Sequence, residues 1–408
     1  MIRRACTAWV LASVLAAAAA WGQEAQRLAY RSPTERGFNV MGGARSAHLS
    51  VQEDPPPGVP LPAPTGRQPR FAKWSTPMVP AGHLWLMLCR SGKDNVYDRL
   101  YVDTDADGSL ADETVVQAQE ADPGLLRARF PPVEVRFPGE GGPTRYQLRL
   151  YSDNGTDHLD AYVYAAAWYE GPVAIGGETL WCALVDNNSN GRFNDAGVGS
   201  SLADVIFLAP KAEDIQLGQD IQPDKRYLGR HIEVGGKVYA MEVPPGGGWV
   251  RFTPAPAIPM GRLRVPDGVT RFSVWGNEGF FFCRPVGGVA AVPAGAYQVH
   301  EWEVVRRDPS GVAWQLRTDS CVPAYATSPE NRVAVEAGKE TALGIGEPAV
   351  SRFTVRRGRR DYYIKHTFRS ERGDRLLLLK RDERPPPTQL TIRSADGSYS
   401  ETLRVPYG

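Results

Sequence analysis

Short apolar runs separated by turn residues make up most of the chain. The runs are rich in Val, Ile, Tyr, Phe and Trp, and Gly, Pro, Asn and Asp separate them. Apolar and polar residues alternate with period two over residues 146–151, and a hairpin turn follows at residues 153–155. Residues 271–282 and 390–405 have the character of further strand pairs. The pattern predicts an all-β protein of two or three β-sandwich-like domains with little helix.

The chain begins with the pattern of a secretory signal peptide. Arg3 and Arg4 are followed by an alanine-rich apolar run over residues 8–20 and by small residues suited to cleavage. We therefore predict a signal peptide over residues 1–22 and an exported protein, periplasmic, at the cell surface or secreted. The run is too short for a spanning helix, and no later run approaches about 18 apolar residues, so no membrane span is expected.

Proline clusters suggest where the domains end. Prolines are frequent between residues 55 and 64 and recur at Pro254, Pro256 and Pro259. The predicted divisions are a Pro-rich N-terminal segment (residues 23–70), a β-rich domain (71–253), a β-sandwich-like domain (254–328) and a C-terminal β-sandwich-like domain (329–408).

The charge balance disfavours a nucleic-acid partner. The chain contains 47 Lys and Arg against 46 Asp and Glu, whereas nucleic-acid binding favours a basic excess or stripe. The basic run over residues 356–360 is interpreted as the solvated turn of a hairpin.

Four cysteines follow the predicted signal peptide, and an exported protein can form disulfides. Four cysteines allow three pairings. We predict Cys89–Cys182 and Cys283–Cys321, with the alternative that some of these thiols are small buried apolar groups.

The most specific motif starts at Asp103. Aspartates occupy positions one, three and five of this segment, Gly108 at position six allows a sharp turn, and Leu110 at position eight can anchor it. Side chains at alternate positions can converge on a hard cation such as Ca²⁺, which takes about six to eight oxygen ligands. The candidate ligands are Asp103, Asp105, Asp107, the backbone carbonyl of Ser109, Asp112 and Glu113.

A second copy of the motif starts at Asp186, which indicates an internal duplication. The aligned candidate ligands are Asp186, Asn188, Asn190, the backbone carbonyl of Arg192, and Asp195. Because fewer of these are carboxylates, we expect weaker binding here. Asp, Asn and Gly are also common turn formers, so a metal-free turn is the alternative.

Both segments depart from an EF-hand. Each follows an apolar strand-like run, and position twelve is Thr114 in one and Gly197 in the other, not a bidentate carboxylate. We therefore predict strand–loop sites with structural calcium. The motifs resemble the D-x-[DN]-x-[DN]-G calcium repeats of bacterial extracellular proteins such as dockerin modules, and are similar to uncharacterised secreted proteins of planctomycete-like bacteria. The resemblance implies calcium and an extracytoplasmic location but no reaction.

Residues 292–299 resemble a strand of small surface β-sandwiches, including carboxypeptidase-regulatory-like modules. Tyr297 within it is expected to be a packing or corner residue.

Motifs for catalysis are not evident in the sequence. The six histidines lack the paired spacing of zinc sites, and no G-x-S-x-G elbow occurs. We therefore predict an exported calcium-binding scaffold or interaction protein and not an enzyme. One alternative is a module that binds a polysaccharide or a cell-surface protein through exposed aromatics, with Trp168, Tyr169, Trp302 and Trp314 as candidates. Another is a hydrolase whose site combines distant residues.

Overall fold

A computed structural model describes most of the chain between residues 24 and 405. The described ranges are residues 24–32, 46–63, 66–92, 95–139, 142–154, 158–197, 203–215, 225–319, 332–359, 361–381 and 383–405. Within them the regular structure is β, apart from one 3-10 turn at Ala212–Asp214, which confirms the all-β prediction. None of the described segments forms a helix long and apolar enough to cross a membrane. The predicted signal peptide lies outside the described residues.

The chain divides into two compact units. The first comprises residues 1–196 and 201–256, and the second comprises residues 197–200 and 257–408. The division predicted between residues 253 and 254 stays a prediction. The further division predicted between residues 328 and 329 falls outside the described residues and stays a prediction.

The described strands of the first unit form three antiparallel sheets. In chain order they are β1 (Gln26–Arg27), β2 (Ala29–Arg31), β3 (Ala47–Gln52), β4 (Arg67–Ser75), β5 (His83–Arg90), β6 (Arg99–Val102), β7 (Val116–Gln117), β8 (Glu120–Asp122), β9 (Arg127–Arg129), β10 (Val133–Phe137), β11 (Thr144–Asn154), β12 (Leu159–Ala165), β13 (Trp168–Ile175), β14 (Glu178–Val185), β15 (Val205–Ala209), β16 (Lys225–Tyr227), β17 (His231–Val234), β18 (Lys237–Glu242) and β19 (Trp249–Pro254).

The largest sheet has the order β7-β6-β5-β4-β3-β12-β11-β9-β8, with β10 also paired to β11. A second sheet has the order β16-β15-β14-β13-β2, and a third has the order β1-β19-β18-β17. Alternation sets the faces: Tyr146, Leu148 and Leu150 of β11 are all fully buried, while the residues between them are partly exposed. The prediction of a strand over residues 146–151 is therefore confirmed.

The second unit has its own core. Its described strands are β20 (Met260–Arg264), β21 (Val269–Gly276), β22 (Gly279–Cys283), β23 (Val289–Pro293), β24 (Gly295–Arg307), β25 (Ala313–Thr318), β26 (Arg332–Val335), β27 (Glu340–Ala342), β28 (Ala349–Arg357), β29 (Tyr362–Ser370), β30 (Leu376–Lys380), β31 (Thr388–Arg393) and β32 (Ser400–Val405).

Two of its sheets enclose the core, and two are two-stranded ribbons, of which one packs Ala349 and Phe368 against that core. One sheet has the order β22-β21-β24-β25-β30 with β26 on β24, and the other has the order β23-β20-β27. The ribbons are β28-β29 and β31-β32. The hydroxyl of Tyr297 is buried and donates to the carbonyl of Pro293 at 2.8 Å, as expected for a corner residue.

The two acidic segments connect hairpins of the same kind. The first lies between β6 and β7, which pair antiparallel with Leu100 opposite Val116. The second lies between β14 and β15, which pair antiparallel with Val185 opposite Val205. Each segment therefore leaves one strand and returns to its neighbour, so the duplication seen in the sequence is also a duplication of local topology.

The predicted Cys89–Cys182 disulfide is wrong, because both residues are buried free thiols. Cys89 lies on β5 and packs in a small cluster with Phe71 and Met87, whereas Cys182 lies on β14, in a different sheet, and joins the main core. Burial raises the pKa of both thiols, for Cys89 to about 11. The alternative interpretation, small buried apolar groups, describes them. Cys321, the predicted partner of Cys283, lies outside the described residues.

We expect Cys89 and Cys182 to be alkylated completely in denaturant without prior reduction. Neither thiol has a sulfur partner, so unfolding alone makes both available. Peptide mass spectrometry after alkylation measures this directly. A peptide pair linked through Cys89 and Cys182 in the unreduced sample would contradict the assignment.

Candidate metal centre

The first acidic segment, residues 103–113, is called loop 1. Its turn is held by Asp103, whose carboxylate accepts the N–H groups of Asp107 and Gly108, both at 3.1 Å. The backbone has positive φ at Ala106 (62°) and Gly108 (86°). Glycine adopts this conformation without a steric cost, which explains why it occupies position six.

The second segment, residues 186–195, is called loop 2 and repeats this backbone. The Asp186 carboxylate accepts the N–H groups of Ser189 (2.6 Å), Asn190 (3.4 Å) and Gly191 (2.7 Å). The positive φ values fall at the same positions, with 58° at Ser189 and 92° at Gly191. The two motifs therefore have the same turn geometry as well as similar sequences.

The equivalence extends to positions five and seven. In loop 1 the Asp107 side chain accepts the N–H of Ser109 at 2.7 Å, and in loop 2 Asn190 accepts the N–H of Arg192 at 2.8 Å. These bonds orient the side chain at position five.

Position eight anchors each loop, as the sequence predicts. Leu110 is fully buried in the small cluster that includes Phe71 and Met87. Phe193 is also fully buried and packs edge-on against Tyr169 at a centroid distance of 5.1 Å. Both loops are therefore held by apolar contacts that do not depend on any ion.

The carboxylates of loop 1 converge in two overlapping groups. In each group, one oxygen from every side chain lies within 4.8 Å of the others. The groups are Asp103, Asp105 and Glu113, and Asp105, Asp107 and Asp112. Asp105 belongs to both groups, which makes it the centre of the cluster. No Lys or Arg of the described ranges forms an ion pair with these five side chains.

This concentration of negative charge changes the acidity of the cluster. Burial and neighbouring carboxylates together raise the pKa of Asp103 to about 6, in spite of the N–H groups that it accepts. Burial also raises the pKa of Glu113, whose carboxylate accepts the N–H and the hydroxyl of Thr104. The cluster therefore carries an electrostatic cost that a bound cation would offset.

The donor set fits a hard metal ion. Its side-chain donors are carboxylate oxygens, with no sulfur or imidazole nitrogen, the combination preferred by Ca²⁺, Mg²⁺ and Mn²⁺. Loop 1 can therefore hold a metal ion. Ser109, predicted to contribute its backbone carbonyl, is placed in the turn, and its hydroxyl accepts the N–H of Ala111 at 3.1 Å.

Loop 2 satisfies the same positions with hydrogen bonds. The side-chain amides of Asn188 and Asn190 donate to one carboxylate oxygen of Asp195, at 3.0 and 2.5 Å. Their carbonyl oxygens accept backbone N–H groups, from Asn190 at 3.1 Å and from Arg192 at 2.8 Å. These bonds fix which end of each amide faces Asp195, since only the NH₂ group is a donor. The side chains at positions three, five and ten thus meet in both loops. In loop 1 all three are carboxylates, whereas in loop 2 the amides at positions three and five donate to the carboxylate at position ten.

Loop 2 is also more deeply buried than loop 1. Asp186 is fully buried, and the hydroxyl of Tyr146 donates to it at 2.8 Å. The indole N–H of Trp74 donates to the carbonyl of Ser189 at 2.7 Å. Burial raises the pKa of Asp186 to about 7 despite the Tyr146 hydroxyl and the backbone N–H groups that donate to its carboxylate. By contrast, Asp105, Asp107 and Asp112 of loop 1 are exposed and accessible to an ion.

Asp204 is a site residue that the sequence analysis missed. It is fully buried, and its carboxylate accepts the N–H groups of Asn187 (3.0 Å) and Asp195 (2.8 Å). In loop 1 the N–H at position two, that of Thr104, is accepted by Glu113. Asp204 therefore closes loop 2 as Glu113 closes loop 1. The available signal in the sequence was an acidic residue directly before the apolar strand β15. Because more residues separate loop 2 from β15 than separate loop 1 from β7, Asp204 does not align with Glu113 when the two motifs are compared position by position.

Arg192 lies in loop 2 as predicted, at position seven. Its guanidinium donates to the side chain of Asn194 at 3.1 Å and lies 3.9 Å from a carboxylate oxygen of Asp195. A positive group at this distance already offsets part of the charge of Asp195.

The aromatic residues considered as a binding platform are largely interior. Trp168, Tyr169 and Trp302 are buried. Trp314 is partly buried, donates to Asp308 at 3.1 Å and lies under the ammonium of Lys380. These side chains contribute to packing and do not form an exposed strip.

Comparisons of the chain with protein-family models, with curated proteins and with solved structures found no match. The assignment of the site therefore depends on its residues and geometry alone.

We expect the metal-free protein to lose stability as the pH rises from about 4 to about 7. The pKa values of Asp103 and Asp186 are raised from 3.8 to about 6 and about 7. The folded state therefore binds protons more tightly than the unfolded state, and this contribution, full at low pH, disappears as the pH passes through the folded-state values. Thermal melts in chelator at constant ionic strength measure it.

The Asp103→Asn variant provides the matched comparison. It removes the ionisation of Asp103, so its melting temperature should fall less steeply with pH over the same range. An identical slope for the variant and the parent protein would contradict the role assigned to Asp103.

Proposed function

We propose that loop 1 binds one Ca²⁺ ion and that this ion has a structural role in an exported β-scaffold. The observation that carries the proposal is the convergence of five carboxylates with no ion-paired Lys or Arg of the described ranges. Such a cluster is unfavourable until a cation neutralises it. Its main members lie on a turn that is already fixed by backbone hydrogen bonds, so little ordering is required on binding.

Calcium fits this cluster better than magnesium does. The two groups of carboxylates share only Asp105 and extend over five side chains. Ca²⁺ accepts about six to eight oxygens in flexible geometry, whereas Mg²⁺ requires a compact octahedron and retains several waters. A spread, carboxylate-rich loop therefore favours the larger ion.

In loop 2, hydrogen bonds take the place of the ion. A cation near Asp195 would meet the NH₂ groups of Asn188 and Asn190, which carry partial positive charge, and it would have to compete with both hydrogen bonds. The amides would have to rotate before their carbonyl oxygens could act as ligands, and two backbone N–H groups would lose their acceptors. We infer that loop 2 is the metal-free counterpart of loop 1.

The location and role in this proposal come from the sequence. The N-terminal signal-peptide pattern supports export, and millimolar-range calcium sites are typical of extracellular modules. Loop 1 connects two adjacent strands and is anchored by buried Leu110, which supports a structural role for the ion.

Calcium titration by calorimetry, after chelator treatment, should show one binding event per chain. Asp105→Ala should abolish it or weaken it by at least about tenfold, because Asp105 belongs to both carboxylate groups. At calcium concentrations about 100 times the dissociation constant, the ion should stabilise the fold by about 2.7 kcal/mol, seen as a higher melting temperature.

Two variants serve as controls for this titration. Glu178→Ala removes an exposed carboxylate in the same unit and should leave binding unchanged. Asn190→Ala should lower thermal stability without removing the binding event. Absence of both heat and thermal shift at millimolar calcium would refute the proposal for loop 1, and loss of the event in Asn190→Ala would place the ion in loop 2.

The double variant Asn188→Asp, Asn190→Asp should create a second binding event. It replaces the two amide donors with carboxylates, so positions three, five and ten acquire the charges found in loop 1. In chelator this variant should be less stable than the parent protein, because three carboxylates then meet without donors. Calorimetry and melts with and without calcium measure both effects.

The reciprocal variant Asp105→Asn, Asp107→Asn tests the same idea in loop 1. It should lose calcium binding and become less sensitive to chelator. If the folded Asn188→Asp, Asn190→Asp variant gained no calcium site, the amide hydrogen bonds to Asp195 would not explain why loop 1 binds calcium and loop 2 does not.

A further inference from the structure

The ribbon formed by β28 and β29 differs in charge from the rest of the chain. Residues 349–370 contain seven Arg and Lys and one Asp, whereas the whole chain is nearly balanced. Among the described strands, β28 and β29 pair only with each other. The turn is closed by the N–H of Gly358, which donates to the carbonyl of Asp361 at 2.7 Å. The basic run is thus the end of a hairpin, as the sequence analysis proposed.

The pairing of the two strands separates the side chains onto two sides. Phe353 lies opposite His366 and Val355 opposite Ile364, so these side chains share one side of the ribbon, together with Tyr362. This set is called the apolar side, and Arg357, opposite Tyr362, lies at its end. The other side, called the basic side, carries Arg352, Arg356, Lys365 and Arg369, together with Val350 and Tyr363. The ribbon is therefore amphipathic.

Most of the ribbon is accessible to solvent, although His366 on the apolar side is buried. Val355 is 59% exposed, Tyr362 64% and Tyr363 66%, and Val350 and Phe353 on the same ribbon are also exposed. Most of the large exposed apolar side chains of the described ranges lie on this ribbon. Exposed apolar groups in such a concentration are typical of an interaction surface.

The basic side chains are also available for a partner. Arg352, Arg356 and Lys365 form no ion pair with any residue of the described ranges. No described residue therefore neutralises their charges through an ion pair, which leaves them to attract an anionic partner.

We propose that the β28-β29 ribbon docks on an anionic lipid surface. A soluble polyanion would engage the basic side but would leave Phe353, Val355 and Tyr362 in water. A lipid interface accommodates both features, because apolar residues enter the boundary between headgroups and acyl chains while Tyr, Lys and Arg lie at headgroup level. Basic residues within a Debye length of the surface add attraction to anionic headgroups. This docking is peripheral and involves only residues of the second unit, so it does not depend on the calcium proposal.

Vesicle co-sedimentation tests the proposal with the purified protein in a buffer without added divalent cations. The protein should bind vesicles of phosphatidylcholine and phosphatidylglycerol in equal parts, and bind vesicles of phosphatidylcholine alone much more weakly. The triple variant Arg352→Gln, Arg356→Gln, Lys365→Gln should lose about 100-fold in partition coefficient, since each basic residue contributes about fivefold. The double variant Val355→Ser, Tyr362→Ser should lose at least about tenfold.

Matched variants elsewhere in the chain distinguish the ribbon from general charge. Arg284→Gln, Arg332→Gln and Arg393→Gln together remove three exposed positive charges from the same unit and should change binding by less than about threefold. Leu125→Ser with Val286→Ser removes exposed apolar side chains outside the ribbon and should have no effect. Melting temperatures equal to that of the parent protein establish that every variant is folded.

Three results would overturn the proposal. The first is failure to bind the anionic vesicles. The second is an equal loss in the matched variants. The third combines two observations: the protein binds soluble dextran sulfate and the triple variant does not, while the double variant Val355→Ser, Tyr362→Ser binds vesicles as well as the parent protein. That combination would identify the basic side as a site for a soluble polyanion.

Discussion

The hydrogen bonds between the first aspartate of each loop and the backbone of its own turn determine the geometry on which the rest of the site depends. Asp103 collects two N–H groups and Asp186 collects three. These bonds set the path of the chain between neighbouring strands and bring positions three, five and ten together. Because they form within the loop, the turn requires no ion, and a cation would act on side chains that are already assembled.

The two loops differ in how they balance charge at the point where those side chains meet. A buried or crowded carboxylate is costly unless donors or a cation compensate it. In loop 2 two side-chain amides donate to Asp195, and the hydroxyl of Tyr146 on β11 donates to Asp186. Among the described residues, no side-chain donor contacts Asp105, the central carboxylate of loop 1. One backbone design therefore exists in a form whose carboxylate is satisfied by amide donors and in a form whose clustered carboxylates could hold a metal ion.

The sequence predicted the all-β class, the position of both loops and their anchoring residues, because period-two alternation and the spacing of turn residues are local properties. It did not predict partners that depend on packing between distant segments. The disulfide between Cys89 and Cys182 was wrong because the two thiols are buried in different hydrophobic clusters, a separation that depends on packing and not on the sequence pattern. The role of Asn190 was open because an amide is both ligand and donor, and only the neighbouring N–H groups fix its orientation. Asp204 was missed because it lies nine residues after Asp195, next to β15, and contacts loop 2 only in the folded chain.

The closing carboxylates explain why an ion in loop 1 would have a structural effect. Glu113 accepts the N–H at position two and also belongs to the acidic group around Asp105. In loop 2 these tasks are separated, since Asp204 accepts the equivalent N–H and Asp195 receives the amides. A cation that neutralises the loop 1 cluster would therefore also stabilise the ionised form of Glu113, the form that accepts hydrogen bonds from Thr104. Ion binding and hairpin closure would be coupled through this one side chain, so an ion would tighten an existing connection between strands and would not switch the fold.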